Sequence, residues 1–241
     1  MSGLPGTLCR RRIYLMRHAD VSYFDAAGQP LDPRHVPLTE TGRQQAAAAG
    51  KLLAAVAFDA AICSGLARTE ETARLVLGER DLPLRHEPRF KEVKAGRLAD
   101  IPAARREQVI AHAYDDAPLP DAAFMGGERW RDVQTRALAA WDDLFAENAW
   151  LNLLLVAHDA INRILLAHIV GVGLAGLRAF EQDPACLNII EVDVAAGRPQ
   201  RAFLRAVNLA AYDPVRAGSH LTVLEKILRQ YKPTDGDRAK A

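Results

Sequence analysis

The sequence predicts an α/β fold, a three-layer α/β/α sandwich with a mostly parallel central sheet. Apolar runs of strand length alternate with segments whose apolar residues recur at helical spacing, which is typical of a sheet covered by helices. Leu151–Ala157 is the clearest of these runs, because it is strongly apolar and too short for a core helix. Glycines follow two of the helical segments, at Gly78 and Gly171, where helices commonly end.

The first half of the chain predicts three strands alternating with two helices. Arg10-Arg11-Arg12 is interpreted as a solvated lead-in to the first strand. A long segment rich in glycine, proline and aspartate follows that strand, and such loops are often functional. Thr39 is a typical helix N-cap. The predicted elements are the strand Arg12–Met16, the loop Val21–Pro37, the helix Thr41–Val56, the strand Phe58–Cys63, the helix Leu66–Leu77 and the strand Leu84–His86.

The second half predicts more helix and a closing pair of strands. Residues Phe90–Met125 are polar and contain prolines, and a single helix is predicted within them. The predicted elements are the helices Ile101–Ala113 and Glu128–Ala146, the strand Leu151–Ala157, the helix Ala160–Val170, the strands Leu187–Val192 and Ala202–Val207, and the helix Leu221–Tyr231. A length of 241 residues suits one domain, with a core of about residues 12–208 and a C-terminal helical extension of about 209–241.

The composition excludes several classes of partner. A net charge of +1 gives no general attraction to nucleic acid or to an anionic membrane, so neither is expected as a partner. The three cysteines lack the Cys-x-x-Cys spacing of metal and redox sites, which favours a reduced, cytoplasmic location. The first dozen residues contain no apolar stretch of signal-peptide length, and no run approaches the roughly 20 apolar residues of a membrane span.

Two histidines and two arginines follow predicted strands, at the strand ends where ligands bind in open α/β sheets. Arg17 and His18 follow the first strand, Arg68 comes shortly after the second, and His158 directly follows Leu151–Ala157. The planar fork of arginine binds phosphate through two hydrogen bonds, and a neutral histidine is a good nucleophile. Nearby arginines also lower the pKa of a histidine, because like charges disfavour its protonated form. The pattern therefore predicts a pocket for a phosphoryl group.

Six segments resemble the motifs of the histidine phosphatase superfamily, also called the phosphoglycerate mutase-like superfamily. They occur in the family's order, and the resemblance spans roughly Ile13 to Asn208. The segments are Leu15-Met16-Arg17-His18-Ala19, Leu38-Thr39-Glu40-Thr41-Gly42-Arg43-Gln44-Gln45-Ala46, Ser64-Gly65-Leu66-Ala67-Arg68-Thr69-Glu70-Glu71-Thr72-Ala73, Phe90-Lys91-Glu92 with Gly96, Gly127-Glu128 with Asp132 and Arg136, and Val156-Ala157-His158 with Arg163. The resemblance implies a phosphoglycerate mutase-like fold and a metal-independent phosphomonoesterase that works through a phosphohistidine.

The resemblance also implies a role for each matching residue. His18 would accept the phosphoryl group, while Glu92 would protonate the leaving oxygen and then activate water. The residues that would bind the phosphoryl oxygens are Arg17, Arg68, His158, Ser64 and Asp159. The candidates for contacts with the rest of the substrate are Asp20, Tyr23 and His35. Neither a metal nor a cofactor would be required.

Several positions depart from the family pattern. Ala19 stands where the family usually has glycine, and Leu98-Ala99-Asp100 stands where aromatic and acidic residues are common. Asp159 stands where glycine commonly follows the second histidine. A carboxylate beside a phosphate would be repelled, so Asp159 has the alternatives of capping its own helix or pairing with a nearby cation. Ser64 has the alternative of capping the helix that comes after it.

Other functions are open at this point. A mutase, which returns the phosphoryl group to a substrate, is disfavoured because Val21–Pro37 lacks the Trp-Asn segment that phosphoglycerate mutases carry. A non-catalytic phospholigand-binding protein would use the same pocket. A metal site is disfavoured because Arg17 and Arg68 would repel a cation; its ligands would be His18, Asp20, His158 and Asp159. The expected ligand is a small phosphorylated metabolite, and the helix from Leu221 is a candidate homodimer contact.

Overall fold

The structure, a computed structural model, describes residue 4 and residues 10–23, 25, 31–97, 100–146, 150–218 and 220–231. The predicted loop Val21–Pro37 and the C-terminal extension 209–241 are therefore described only in part. Leu98 and Ala99, which depart from the family pattern, lie outside the described residues.

The described residues form a mixed sheet of six strands. They are β1 (Arg10–Arg17), β2 (Ala60–Cys63), β3 (Leu84–His86), β4 (Asn152–Ala157), β5 (Leu187–Ala195) and β6 (Arg198–Leu209), in the spatial order β3-β2-β4-β1-β5-β6. The first four strands pair in parallel, while β5 runs antiparallel to both β1 and β6. This arrangement confirms the mostly parallel sheet and the closing strand pair predicted from the sequence.

Helices cover both faces of this sheet. They are α1 (Glu40–Leu52), α2 (Ala67–Leu77), α3 (Ala103–Ala111), α4 (Trp130–Ala146), α5 (Asp159–Ile169) and α6 (Val223–Tyr231). Short 3₁₀ turns occur at Pro88–Phe90, Phe124–Gly126 and Gly173–Ala179. None of the helices in the described part of the chain is long and apolar enough to cross a membrane.

Alternate side chains of the central strands enter two separate cores, as the period of a strand requires. In β1, Ile13 and Leu15 pack in the core that contains α4 and α5, whereas Tyr14 and Met16 pack with α1 and α2. The neighbouring strand β4 is buried along nearly its whole length. A strand that is covered on both faces has a continuous apolar sequence, which explains why Leu151–Ala157 is the clearest strand in the sequence.

The interpretation of Arg10-Arg11-Arg12 as a solvated lead-in was wrong. These residues belong to β1. The charged groups of Arg10 and Arg12 pair across the sheet with buried acids of β5, and the Arg11 guanidinium lies over the Trp150 ring. Arg10 Nε lies 2.7 Å from Asp193 Oδ1, and an Arg12 guanidinium nitrogen lies 2.5 Å from Glu191 Oε1. Such charged cross-strand pairs stabilise strands that hydrophobic periodicity does not detect.

The first helix ends earlier than its apolar pattern predicts. α1 stops at Leu52 rather than Val56, and Arg80 provides the reason. Its guanidinium donates to the carbonyl oxygens of Leu53 and Ala54 at 2.9 Å each, and to the Leu77 carbonyl at the end of α2 at 2.9 Å. One cation thus binds the exposed carbonyl groups at the C-termini of two helices, which is a favourable place for positive charge.

Replacing Arg80 by alanine is expected to lower the free energy of unfolding by about 2 kcal/mol, because several carbonyl groups lose a charged donor. Denaturant unfolding of both proteins measures the difference. Lys51→Ala is the matched control, since it removes an exposed cation from the last turn of α1. Equal stabilities of Arg80→Ala and Lys51→Ala would show that the shared cap contributes nothing.

Candidate active site

Three parallel strands bring the predicted site residues to one edge of the sheet. Arg17 of β1 is level with Ala157 of β4, and Cys63 of β2 is level with Val156. The residues that immediately follow these strand ends, among them His18 and Ser64, are therefore neighbours in space. The rings of His18 and His158 meet edge to face, with their centroids 5.2 Å apart.

His18 is oriented and kept neutral by its surroundings. Its Nδ1 lies 2.8 Å from the Ala19 carbonyl oxygen, which can only accept, so Nδ1 carries the proton and Nε2 carries the lone pair. Burial, followed by the charges of Arg68 and Arg17, holds the pKa of His18 well below 6.5. The ring is therefore neutral over the physiological pH range, as a histidine nucleophile has to be.

His158 is fixed through a hydroxyl network. Thr69 donates its hydroxyl proton to the Leu66 carbonyl at 2.7 Å, so Ser64, 3.0 Å from Thr69 Oγ1, is the donor of that pair. The Ser64 oxygen then accepts from His158 Nε2 at 2.8 Å. Ser64 thus orients the histidine ring, and its direct contact with phosphate stays a prediction. Burial, followed by nearby cations, also holds the pKa of His158 well below its usual range.

Three buried nitrogen atoms around His18 have no hydrogen-bond partner among the described residues. They are Arg17 Nε, Arg68 Nε and His158 Nδ1. Each arginine is held elsewhere by one backbone carbonyl, Arg17 by Gln182 at 2.7 Å and Arg68 by Pro33 at 2.5 Å. A buried polar group without a partner costs about 1–3 kcal/mol, and here two of the groups are cationic. The two arginine N–H groups suit an anion with several oxygen atoms. His158 Nδ1 carries a lone pair, because the ring proton is on Nε2, so the assignment of His158 to the phosphate set stays a prediction.

Glu92 lies just beyond the 3₁₀ turn Pro88–Phe90, at the N-terminus of α5. Its carboxyl oxygens accept from the backbone N–H groups of Val93 at 3.0 Å and Ala160 at 3.4 Å. Burial, and then the charge of Asp159, raise the pKa of Glu92 to about 6, against the opposing effect of the arginines. A carboxyl group of that pKa can both give and take a proton near neutral pH.

The segment that carries Glu92 is fastened to α4 by Arg136. This side chain donates to the carbonyl oxygens of Arg89 at 2.6 Å, Lys91 at 2.7 Å and Glu92 at 3.3 Å. Glu128 orients the guanidinium, since its Oε1 accepts from Arg136 Nε at 2.9 Å. The family motif that begins at Gly127-Glu128 therefore positions the predicted acid from a distance.

Asp159 pairs with a nearby cation, which is one of the two alternatives predicted from the sequence. Its carboxylate accepts from Arg163 Nε at 2.7 Å and from the Tyr114 hydroxyl at 2.9 Å. Both of its oxygens are thus occupied on the protein side, and its assignment to the phosphate set stays a prediction. Tyr114 is a site residue that sequence reasoning missed, because it lies in the segment Phe90–Met125, where no pattern indicated a role.

The three substrate-contact candidates differ in position. The Tyr23 hydroxyl is buried among Arg68, Arg17 and Glu92, and this burial raises its pKa. Asp20 anchors the start of α1, because its Oδ2 accepts from the Thr39 hydroxyl at 2.7 Å. His35 is exposed and lies 3.2 Å from Asp32, so the structure does not bring it to the pocket.

The metal-site alternative has no matching cluster in the structure. Within the described residues, no three histidine, cysteine, aspartate or glutamate side chains are grouped to hold a metal ion. Asp20 and Asp159, two of the four candidate ligands, instead make hydrogen bonds with Thr39, Arg163 and Tyr114.

The sequence of this chain is similar to those of known proteins. Residues 13–203 match the model of the histidine phosphatase superfamily (branch 1). The chain is 28% identical over 205 residues to the adenosylcobalamin/alpha-ribazole phosphatase of Escherichia coli (strain K12), covering 83% of this chain and 97% of that protein. It is 23% identical over 212 residues to a probable 2-carboxy-D-arabinitol-1-phosphatase of Arabidopsis thaliana, covering 87% of this chain and 44% of the plant protein.

A solved structure supports the same fold. The mycobacterial glucosyl-3-phosphoglycerate phosphatase superimposes with a TM-score of 0.67 and 25% sequence identity, covering 83% of this chain and 99% of that one. The match agrees with the sheet order and with the helices on both faces of the sheet.

Proposed function

The chain belongs to the histidine phosphatase superfamily (branch 1), and on that premise we propose that it hydrolyses a small phosphate ester through a phosphohistidine on His18. The observation that carries the proposal is the pair of buried N–H groups without a partner, Arg17 Nε and Arg68 Nε, beside a neutral histidine. A phosphoryl group would supply the missing acceptors, and the two cations would stabilise the charge that develops during transfer.

In the first step, His18 Nε2 attacks phosphorus and the bond from phosphorus to the ester oxygen breaks. Glu92 gives its proton to the departing oxygen, so the alcohol leaves neutral and Glu92 becomes a carboxylate. The hydrogen bond from His18 Nδ1 to the Ala19 carbonyl stabilises the positive charge that the ring acquires.

In the second step, water attacks phosphorus and the bond from phosphorus to Nε2 breaks. The Glu92 carboxylate takes one proton from that water, which restores the acid, and inorganic phosphate leaves. The side chains that carry both steps are cationic or titrate as acids and bases, so we propose that no metal ion takes part.

The relatives do not share one substrate. The three proteins compared with this chain are named for three different substrates, an alpha-ribazole phosphate, a carboxyarabinitol phosphate and a glucosyl phosphoglycerate. The proposal is therefore limited to a small phosphorylated metabolite. The single domain, the cytoplasmic location and the homodimer stay predictions from the sequence.

Trapping the intermediate tests the proposed function. Wild-type protein mixed with radiolabelled 4-nitrophenyl phosphate and quenched within one turnover is expected to carry label that is stable in alkali and labile in acid. Peptide mapping is expected to find the label at His18. Steady turnover without any labelled protein would refute the phosphohistidine route.

The same experiment separates hydrolysis from phosphoryl transfer. Labelled enzyme is divided between buffer alone and buffer with 3-phosphoglycerate, and the label is followed into inorganic phosphate or bisphosphoglycerate. We expect inorganic phosphate in both cases, also in the presence of a metal chelator. Transfer to the phosphoglycerate would instead identify a mutase.

A further inference from the structure

Asp159 is a buried carboxylate immediately after the second histidine, where it begins α5. Helix capping does not explain the side chain, because its hydrogen bonds go to other side chains. Arg163, one turn along the same helix, and Tyr114, from a different part of the chain, bind its two oxygens at 2.7 and 2.9 Å. Burying such a group is costly unless it is paired, and this one is fully paired.

The partners of Asp159 are themselves held in place. The guanidinium of Arg163 lies over the Tyr114 ring, 4.4 Å from its centroid, and donates to the Leu177 carbonyl at 3.0 Å. A second acid, Glu181, accepts from Arg163 at 3.2 Å and is partly exposed. These contacts fix the Asp159 carboxylate in one position relative to the backbone of α5.

Asp159 and Glu92 meet at the same helix terminus. The Ala160 N–H group, which belongs to the residue after Asp159, donates to Glu92 Oε2 at 3.4 Å. Two carboxyl groups held at the same helix terminus repel each other when both are charged. The repulsion favours the protonated form of Glu92, since Asp159 is compensated by Arg163.

Other groups act on Glu92 as well. The charged and titratable groups that face it from the surrounding elements are Asp159 of α5, Arg68 of α2, Arg17 of β1, Arg136 of α4, Tyr23 of the loop after β1 and Tyr114. The arginines favour the ionised form, and Asp159 is the principal charge that opposes them. The phenols of Tyr23 and Tyr114 stay neutral, because burial raises the pKa of each.

We propose that Asp159 is a positioning residue for the acid step, one whose fixed negative charge raises the fraction of Glu92 that holds the proton for the leaving oxygen. This inference rests on the proposed function and assigns a purpose to the position where the chain departs from the family's glycine. Esters of poorly leaving alcohols need that proton most, so the chain is expected to be specialised for alkyl phosphates over activated ones.

Two variants with opposite electrostatic effects test the inference. Asp159→Asn removes the negative charge, and Arg163→Gln removes the compensating positive charge. The pH dependence of kcat/KM is measured with 2-glycerol phosphate, an alkyl ester, and with 4-nitrophenyl phosphate, an activated one. The ionisation of the substrate is common to all variants, so differences between them report on the enzyme.

In Asp159→Asn, the alkaline limb of the profile is expected to move down by roughly one pH unit, which is the effect of one nearby charge. At pH 7 the alkyl ester should lose about tenfold in kcat/KM and the activated ester less than about twofold. In Arg163→Gln the limb is expected to move up. Glu181→Gln, which removes the outer acid on Arg163, is the matched control and should leave the limb in place.

A merely structural role predicts another result. If both esters lose activity equally and neither variant moves the limb, or if both variants move it the same way, the inference is overturned. Arg163→Gln tests the inference independently if Asp159→Asn does not fold. Wild-type enzyme that hydrolyses neither ester would refute the proposed function itself, which keeps the two failures distinct.

Discussion

Replacement of His18 by alanine is expected to abolish hydrolysis of phosphate esters, with kcat lower by about 10⁵-fold, as for loss of other covalent nucleophiles. The loss follows from geometry, because His18 Nε2 holds the lone pair and the ring lies beside the cations Arg68 and Arg17. His158 cannot attack through the same atom, since its Nε2 donates to Ser64. Phosphate release with 4-nitrophenyl phosphate, measured over hours, gives the residual rate.

Phosphate binding separates this result from misfolding. His18→Ala keeps Arg17, Arg68 and His158, so inorganic phosphate should still raise its melting temperature. His168→Ala is the matched control, because His168 lies exposed in the last turn of α5 and should be dispensable. A His18→Ala protein that keeps a tenth of the wild-type activity would contradict the assigned nucleophile.

The sheet and the strand-end residues were predictable because both depend on local patterns. Buried central strands are apolar throughout, so their ends are visible in the sequence, and parallel strands bring the residues at their carboxyl ends to one edge of the sheet. His18 and His158 come next to each other for this reason alone. The chemistry of arginine and histidine is then sufficient to indicate phosphate.

The features that escaped prediction depend on contacts between distant parts of the chain. Three residues from other segments contact the site through a hydroxyl group or a backbone carbonyl, namely Tyr114, Gln182 and Pro33. Every residue has a backbone carbonyl, so the residue type does not show which carbonyl accepts a hydrogen bond. The end of α1 was misplaced because Arg80, in a later segment, binds its last carbonyl groups. Hydrophobic periodicity reports burial of side chains and is blind to hydrogen bonds of this kind.

The charged strands show the same limit. β6 extends from Arg198 to Leu209, well beyond the predicted Ala202–Val207. Arg201 and Arg205 on this strand pair with Asp193 and Glu191 on β5. A sequence with charged residues at alternate positions has the pattern of a solvated segment. The ion pairs can be recognised only when the neighbouring strand is known.

Replacing Arg68 by methionine is expected to destroy activity and yet stabilise the unliganded protein. Arg68 is 3% exposed, its Nε has no partner among the described residues, and it shares the pocket with Arg17. Loss of this cation should lower kcat/KM by about 10³-fold, because the developing phosphoryl charge loses a fixed counter-charge. Methionine fills similar space without the cost of a buried charge, so the free energy of unfolding should rise by about 1 kcal/mol.

The gain in stability should depend on pH. The pKa of His18 lies well below 6.5, from burial first and then from Arg68, so the unfolded chain binds a proton that the folded protein does not. Stability is therefore lost as pH falls below about 6.5, and the loss is smaller once Arg68 is gone. In denaturant unfolding, the advantage of Arg68→Met over wild type should grow at the acid end of a pH series, where the pH approaches the pKa of His18 in the folded variant.

Arg74→Met is the control for this variant, because Arg74 lies on the same helix with its guanidinium exposed and paired to Glu70. It should change neither activity nor the pH dependence of stability. A destabilised Arg68→Met would mean that the bond to the Pro33 carbonyl outweighs the buried charge. A stabilised and inactive one would show that this cation is retained for phosphate, at the expense of the unliganded fold, since only a bound anion completes its hydrogen bonds.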